Sequence, residues 1–180
     1  MTKYAQNIEN SIRDFLFKEG LLKEKIIVPD LKFGFQFTFP LFTESSEEKG
    51  QLMVIYQPLN KNFLIISIAT QISEYHTDIL MNSSDKKNQF FIDIKKIILL
   101  KNLFFRLDID NDCYEISDQI FIDPDKPLSK NGFYKTIRKL YNVQVYCNLL
   151  LMEYCAEKLD PEEIKKMQGI DTNIGSNLYI

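Results

Sequence analysis

Between Lys32 and Pro40 the chain alternates strictly: Phe33, Phe35, Phe37 and Phe39 stand at every second position, with Gly34, Gln36 and Thr38 between them. A period of two is the mark of a half-buried strand, and Pro40 ends it. The pattern before it is different. Tyr4, Ile8, Ile12, Phe15 and Leu16 recur at helical spacing, which predicts an amphipathic helix over residues 3–19 with these side chains on one face. Thr2 can cap that helix and Gly20 supplies its left-handed stop.

After Pro40 the polar run "TESSEEKG" (43–50) reads as a loop. "QLMVIYQP" (51–58) and "FLIISIAT" (63–70) then read as strands joined by the turn "LNKN" (59–62), and such short connections favour an antiparallel meander. Both strands are apolar on two faces. Leu52, Val54 and Tyr56 point one way, Met53 and Ile55 the other; Leu64, Ile66 and Ile68 oppose Phe63 and Ile65. A sheet with one wet face alternates more cleanly, so the expectation is that the protein's own segments or a partner subunit cover part of the second face.

Two helices follow. Ser73 can cap "EYHTDILMN", and Ser84 opens "DKKNQFFIDIKKIILLKN", where Phe90, Phe91, Ile94, Ile97 and Ile98 form a helical stripe. "LFFRLDI" (103–109) and "YEISDQIFI" (114–122) then predict a hairpin turning at "DND" (110–112), with Phe105, Leu107 and Ile109 opposite Phe104, Arg106 and Asp108. "DPDKP" (123–127) ends the second strand. A long helix is predicted from Ser129 to Leu159, with Val143 and Val145 as weak points where it can bend. Asp160, Pro161, Glu162 and Glu163 start one more helical turn before a tail without periodicity. The expected fold is α+β, an antiparallel sheet of about five strands in the order α-β-β-β-α-α-β-β-α. Residues 1–159 form one domain, and 160–180 form a short helical turn and flexible tail.

Composition narrows the function classes. The 180 residues are 45% hydrophobic, enough for a core without staples, and the net charge is −3. No run of Lys and Arg exceeds two residues, which argues against nucleic acid, because phosphate neutralisation supplies most of that affinity. Three cysteines without a CxxC motif point to a reducing compartment. The N-terminus lacks a signal-peptide core and no apolar run is long enough to span a membrane, so the expected location is cytoplasmic.

Candidate chemistry changes little. "DIDNDCYEISDQ" (108–119) places Asp108, Asp110 and Asp112 as in a calcium loop, but Cys113 stands where Gly is needed and Gln119 where a bidentate Glu is needed; a hairpin turn is the better reading. His76 is the only histidine and cannot build a His-rich metal site, while Cys113 sits among aspartates that raise a thiol pKa. No catalytic, cofactor or metal residue is assigned, and no cofactor is expected. "YKTIRKLY" (134–141) is the best basic patch, and reads as the wet face of an amphipathic helix.

The element order, read with "IRDFLFKEG" (12–20), "VPDLKFGFQFTFP" (28–40), "VIYQP" (54–58), "ISEYH" (72–76) and "FFIDIKKIIL" (90–99), resembles a family of small uncharacterised archaeal proteins recorded as a domain of unknown function. The resemblance covers about residues 3–159 and implies a fold like that of type III secretion chaperones; the family brings no assigned activity. The functional expectation is a non-enzymatic, chaperone-like interaction module that binds a protein or peptide segment and is able to pair as a homodimer. The residues assigned to partner binding are Met53, Ile55, Phe63, Ile65, Tyr134, Lys135 and Arg138. An enzyme or small-ligand binder with an unrecognised pocket is the alternative. A nucleic-acid module on "KFGFQFTFP" is the third reading, and it requires exposed rings beside a basic groove.

Overall fold

The computed structural model describes residues 3–40, 50–81, 84–123 and 125–156. The elements run α1 (Lys3–Lys18), β1 (Leu22–Ile26), β2 (Leu31–Phe39), β3 (Gln51–Pro58), β4 (Phe63–Gln71), α2 (Glu74–Met81), α3 (Ser84–Leu100), β5 (Phe104–Asp108), β6 (Cys113–Phe121) and α4 (Lys130–Cys155). One antiparallel sheet takes all six strands in the order β1-β2-β3-β4-β6-β5. The α+β class stands, with six strands where about five were expected. The added strand is β1, "LKEKI", whose three central residues are charged and exposed. As an edge strand it buries little, so its sequence lacks the apolar alternation that marks β2.

The four helices form one layer on one face of the sheet. α1 lies over β1 and β2, α4 over β4 and β6, α3 over β5, and α2 packs against α3 and α4. Phe33, Phe35 and Phe37 are buried beneath this layer, in one cluster with Ile12 and Leu16 of α1, Phe90 and Ile94 of α3, and Phe133 and Ile137 of α4. Phe39 sits at the rim, edge-on to Tyr141 of α4 with ring centres 5.5 Å apart. The aromatic strand is a wall of the core. That placement leaves no stacking platform for bases.

The Gly20 stop is found in place, whereas the hydroxyl of Ser73, expected to cap α2, lies 2.7 Å from His76 Nδ1. Gly20 has φ 68°, and the amides of Gly20 and Leu21 close back on the carbonyls of Phe17 and Leu16, which ends α1. Ser129 caps α4 by accepting from the Gly132 amide at 3.1 Å. α4 is a single uninterrupted helix from Lys130 to Cys155, passing through Val143 and Val145. Inside it, buried Gln144 donates to the Tyr114 hydroxyl at 3.0 Å and to Asn148 Oδ1 at 2.9 Å, tying the helix to β6. The Thr2 cap, the side chains of Tyr4 and Ser84, the 43–49 loop, the last helical turn to Leu159 and the 160–180 segment lie outside the described residues.

Candidate functional site: the open face of the sheet

Strand parity decides which side chains face the helices. Ile55 pairs with Ile66, and Tyr56 with Ile65. Cross-strand partners share a face, so Met53 and Ile55 join Leu64, Ile66 and Ile68 under the helix layer. All five are buried, with 0% exposure. Leu52, Val54 and Tyr56 share the opposite face with Phe63 and Ile65. Among the described residues no helix lies over that second face. Val54 is 3% exposed yet stands apart from the main core cluster. The cover expected for this face is not found among the described residues.

The residues assigned to partner binding therefore separate. Met53 and Ile55 are core residues and present no surface, a correction that follows from the odd register of the β3–β4 pair. Phe63 and Ile65 lie half-buried on the open face, where Phe63 meets Phe121 edge-on at 5.9 Å. Tyr134 serves packing: its hydroxyl donates to the Phe15 carbonyl at 2.7 Å, clamping α4 to α1. Lys135 and Arg138 are exposed on α4, in the helix layer that lies across the opposite face of the sheet. Of the seven, only Phe63 and Ile65 come together on the open face.

Toward one end, the open face runs into an open groove of about 1350 Å³ between the β5–β6 hairpin and the end of β4. Arg106 and Glu115 face each other across β5 and β6 and form an ion pair at 3.0 Å. Gln71 donates to the Asn111 carbonyl at 2.8 Å, and the Ile72 amide to the Asp112 carbonyl at 2.9 Å, so the hairpin tip is fastened to the β4–α2 connection. The supposed calcium loop is this tip. Asp108 accepts from the Asn111 amide at 3.2 Å and from Asn111 Nδ2 at 2.8 Å, an Asx-type closure of the turn. Asp112 has φ 52° and pairs with Lys87 of α3 at 2.7 Å.

Three titratable groups of this region have pKa values displaced from the ordinary ones. The Asn111 hydrogen bonds hold the Asp108 carboxyl below its ordinary value. Burial, with Asp108 second, raises the Cys113 thiol, so the acid neighbours foreseen from sequence are the smaller cause. Burial raises the Tyr56 phenol, assisted by Glu115 and opposed by Arg106. Asp108 thus stays ionised at neutral pH, while Cys113 and Tyr56 stay protonated. Such fixed states suit recognition by shape and charge better than proton transfer. His76, the third residue of α2, has its pKa lowered by burial and pairs through Nδ1 with Ser73 Oγ at 2.7 Å. Its hydrogen-bond partner is a serine; Cys147 and Cys155 lie buried in α4.

Sequence reasoning missed the Arg106–Glu115 pair and the groove beside it. The alternation of β5 did show Arg106 on the outer face, but nothing in the sequence placed β6 between β4 and β5.

A family model described as "Uncharacterized conserved protein (DUF2299)" matches residues 8–151. An uncharacterised protein from Methanothermobacter thermautotrophicus, solved as a crystal structure, is similar in fold: TM-score 0.68 and 21% identity, with 81% of this chain and 96% of that chain covered. No curated protein matches. Among the described residues no helix is long and apolar enough to cross a membrane.

Proposed function

The chain belongs to the DUF2299 family of uncharacterised conserved proteins, and from that premise we propose that it is a protein-interaction module that takes a protein or peptide segment on the open face of its sheet. One observation carries this reading. The open face presents half-buried Tyr56, Phe63 and Ile65 beside the buried Val54, and no described element covers the three. Apolar surface without an internal partner is the ordinary sign of an interaction site. The secretion-chaperone likeness implied by the family resemblance points the same way, as an expectation about fold alone. A cytoplasmic setting fits three unpaired thiols.

The test is selection from a displayed library of random peptides. Selected peptides should lose at least about ten-fold in affinity with Ile65→Asp and keep it with Leu99→Asp on the outer side of α3. Indifference of every selected peptide to Ile65→Asp would end the reading. A second reading rests on the groove: its volume and the Arg106–Glu115 pair fit a small zwitterionic ligand. That reading requires selected small molecules to depend on Arg106 and not on Ile65.

A further inference from the structure

The two edges of the sheet are built differently. β1, at one edge, shifts register between Leu22 and Glu24 and carries exposed Lys23, Glu24 and Lys25. Bulges and charges of this kind blunt an edge against pairing. β5, at the other edge, pairs with β6 in unbroken register from Phe104 to Asp108. Its outer edge has no strand beside it among the described residues, and Phe104 on it is 55% exposed.

Two cations flank this edge, one on each face of the sheet. On the helix side the Lys95 ammonium lies 5.7 Å from the centre of the Phe105 ring. On the open side the Arg106 side chain is 73% exposed, although one of its nitrogens reaches Glu115. A guanidinium has five donors, so Arg106 keeps several for another acceptor.

These charges discriminate between occupants. Two copies of β5 pairing antiparallel about Phe105 would bring one Lys95 toward the other. Pairing about Arg106 would set guanidinium against guanidinium. Like charges directly opposite are destabilising, so the edge is guarded against its own copy. The same charges favour carboxylates.

The geometry points to β5 as a strand-addition site for an extended acidic segment of another protein, a surface distinct from the open face. The added strand is antiparallel, as every pair in this sheet is, and uses the free backbone groups of β5. Its side chains alternate between faces. The residue opposite Arg106 is acidic and meets the guanidinium; the next, opposite Phe105, is acidic and meets Lys95; the third, opposite Phe104, is apolar and packs on that ring. The recognised pattern, read from N- to C-terminus, is acidic, acidic, apolar.

Fluorescence anisotropy with a blocked peptide of about nine residues, Thr- and Val-flanked around Glu-Glu-Phe, tests this against its Lys-Lys-Phe counterpart. The acidic peptide should bind at least about ten-fold tighter, weaken with salt, and slow hydrogen exchange at the amides of β5. Lys95→Glu should restore binding to a peptide with Lys opposite Phe105, a rescue that a misfolded variant would not give. Ile65→Asp should leave this binding unchanged, which separates it from the open-face reading. Equal binding of both peptides, binding of neither, or exchange protection away from β5 would overturn the assignment and leave Lys95 and Arg106 as guards against self-pairing.

Discussion

Phe37→Ala removes a ring from the most enclosed point of the aromatic strand. Phe37 is 0% exposed. On one side it faces Leu22 of β1, on the other Met53 of β3, itself 0% exposed. Strand pairing fixes the backbone on both sides, so the hole left by the ring closes only as far as Met53 can flex. Loss of transfer energy together with an incompletely filled cavity gives about 3–5 kcal/mol of destabilisation. For a domain of this size each kcal/mol moves the melting temperature by about 2–4 °C, so the expected drop is roughly 6–20 °C. The chain has no tryptophan, and urea and thermal unfolding are best followed by far-UV circular dichroism. Phe17→Ala is the internal control, because Phe17 is 72% exposed; it should stay within about 0.5 kcal/mol of wild type. A Phe37→Ala melting temperature within about 2 °C of wild type would refute the core-wall reading and return the aromatic strand to the surface.

Two further outcomes concern titration and reactivity. Burial raises the Cys147 thiol to about 12, the Cys155 thiol to about 11, and the Tyr114 hydroxyl well above its ordinary value. In each case the unfolded group loses its proton first, so stability holds below the unfolded values and declines as pH rises from about 9 through 12. Urea midpoints measured across that range should fall, and Cys147→Ala should make the fall shallower; a flat profile would contradict the burial. In native protein a thiol-exchange reagent should modify Cys113 alone, and slowly, since its thiol is raised too. Cys147 and Cys155 should react only on unfolding, and a second fast equivalent in native protein would contradict the packing of α4.

Much of this fold was legible because its information is local. The alternation of Phe33 to Phe39, the Gly20 stop and the "DND" turn each depend on a few adjacent residues, and each is found in place. β1 was not legible, since an edge strand with Lys23, Glu24 and Lys25 at its centre looks like any charged connector. The site was half legible. The two-faced character of β3 and β4 was plain, and it correctly signalled a face with apolar side chains. Which side chains share that face was not. That depends on how the 59–62 turn sets the register, and a shift of one residue exchanges the faces. Met53 and Ile55 were therefore grouped with Phe63 and Ile65, from which the sheet itself separates them. The Arg106–Glu115 pair follows from the register of the 110–112 hairpin, whereas the groove beside it depends on strand order, which no local pattern records.

The strand order also bears on how the chain reaches this structure. β1 to β4 form a meander of near neighbours, and β5 and β6 form a hairpin of their own; a single interface between β4 and β6 unites them. There Phe63 meets Phe121 at one end and Gln71 meets Cys113 at the other, with the whole of α2 and α3 intervening in the chain. Closing so long an intervening stretch carries an entropic penalty that neighbouring strands escape. Within the sheet the two groups of strands meet along one long-range zipper, and α2 with the Tyr134–Phe15 bond joins them again in the helix layer. A cut in the chain between α2 and α3 would leave both halves of that zipper intact, so the molecule has the construction of a protein that can be divided there and reassembled from its pieces.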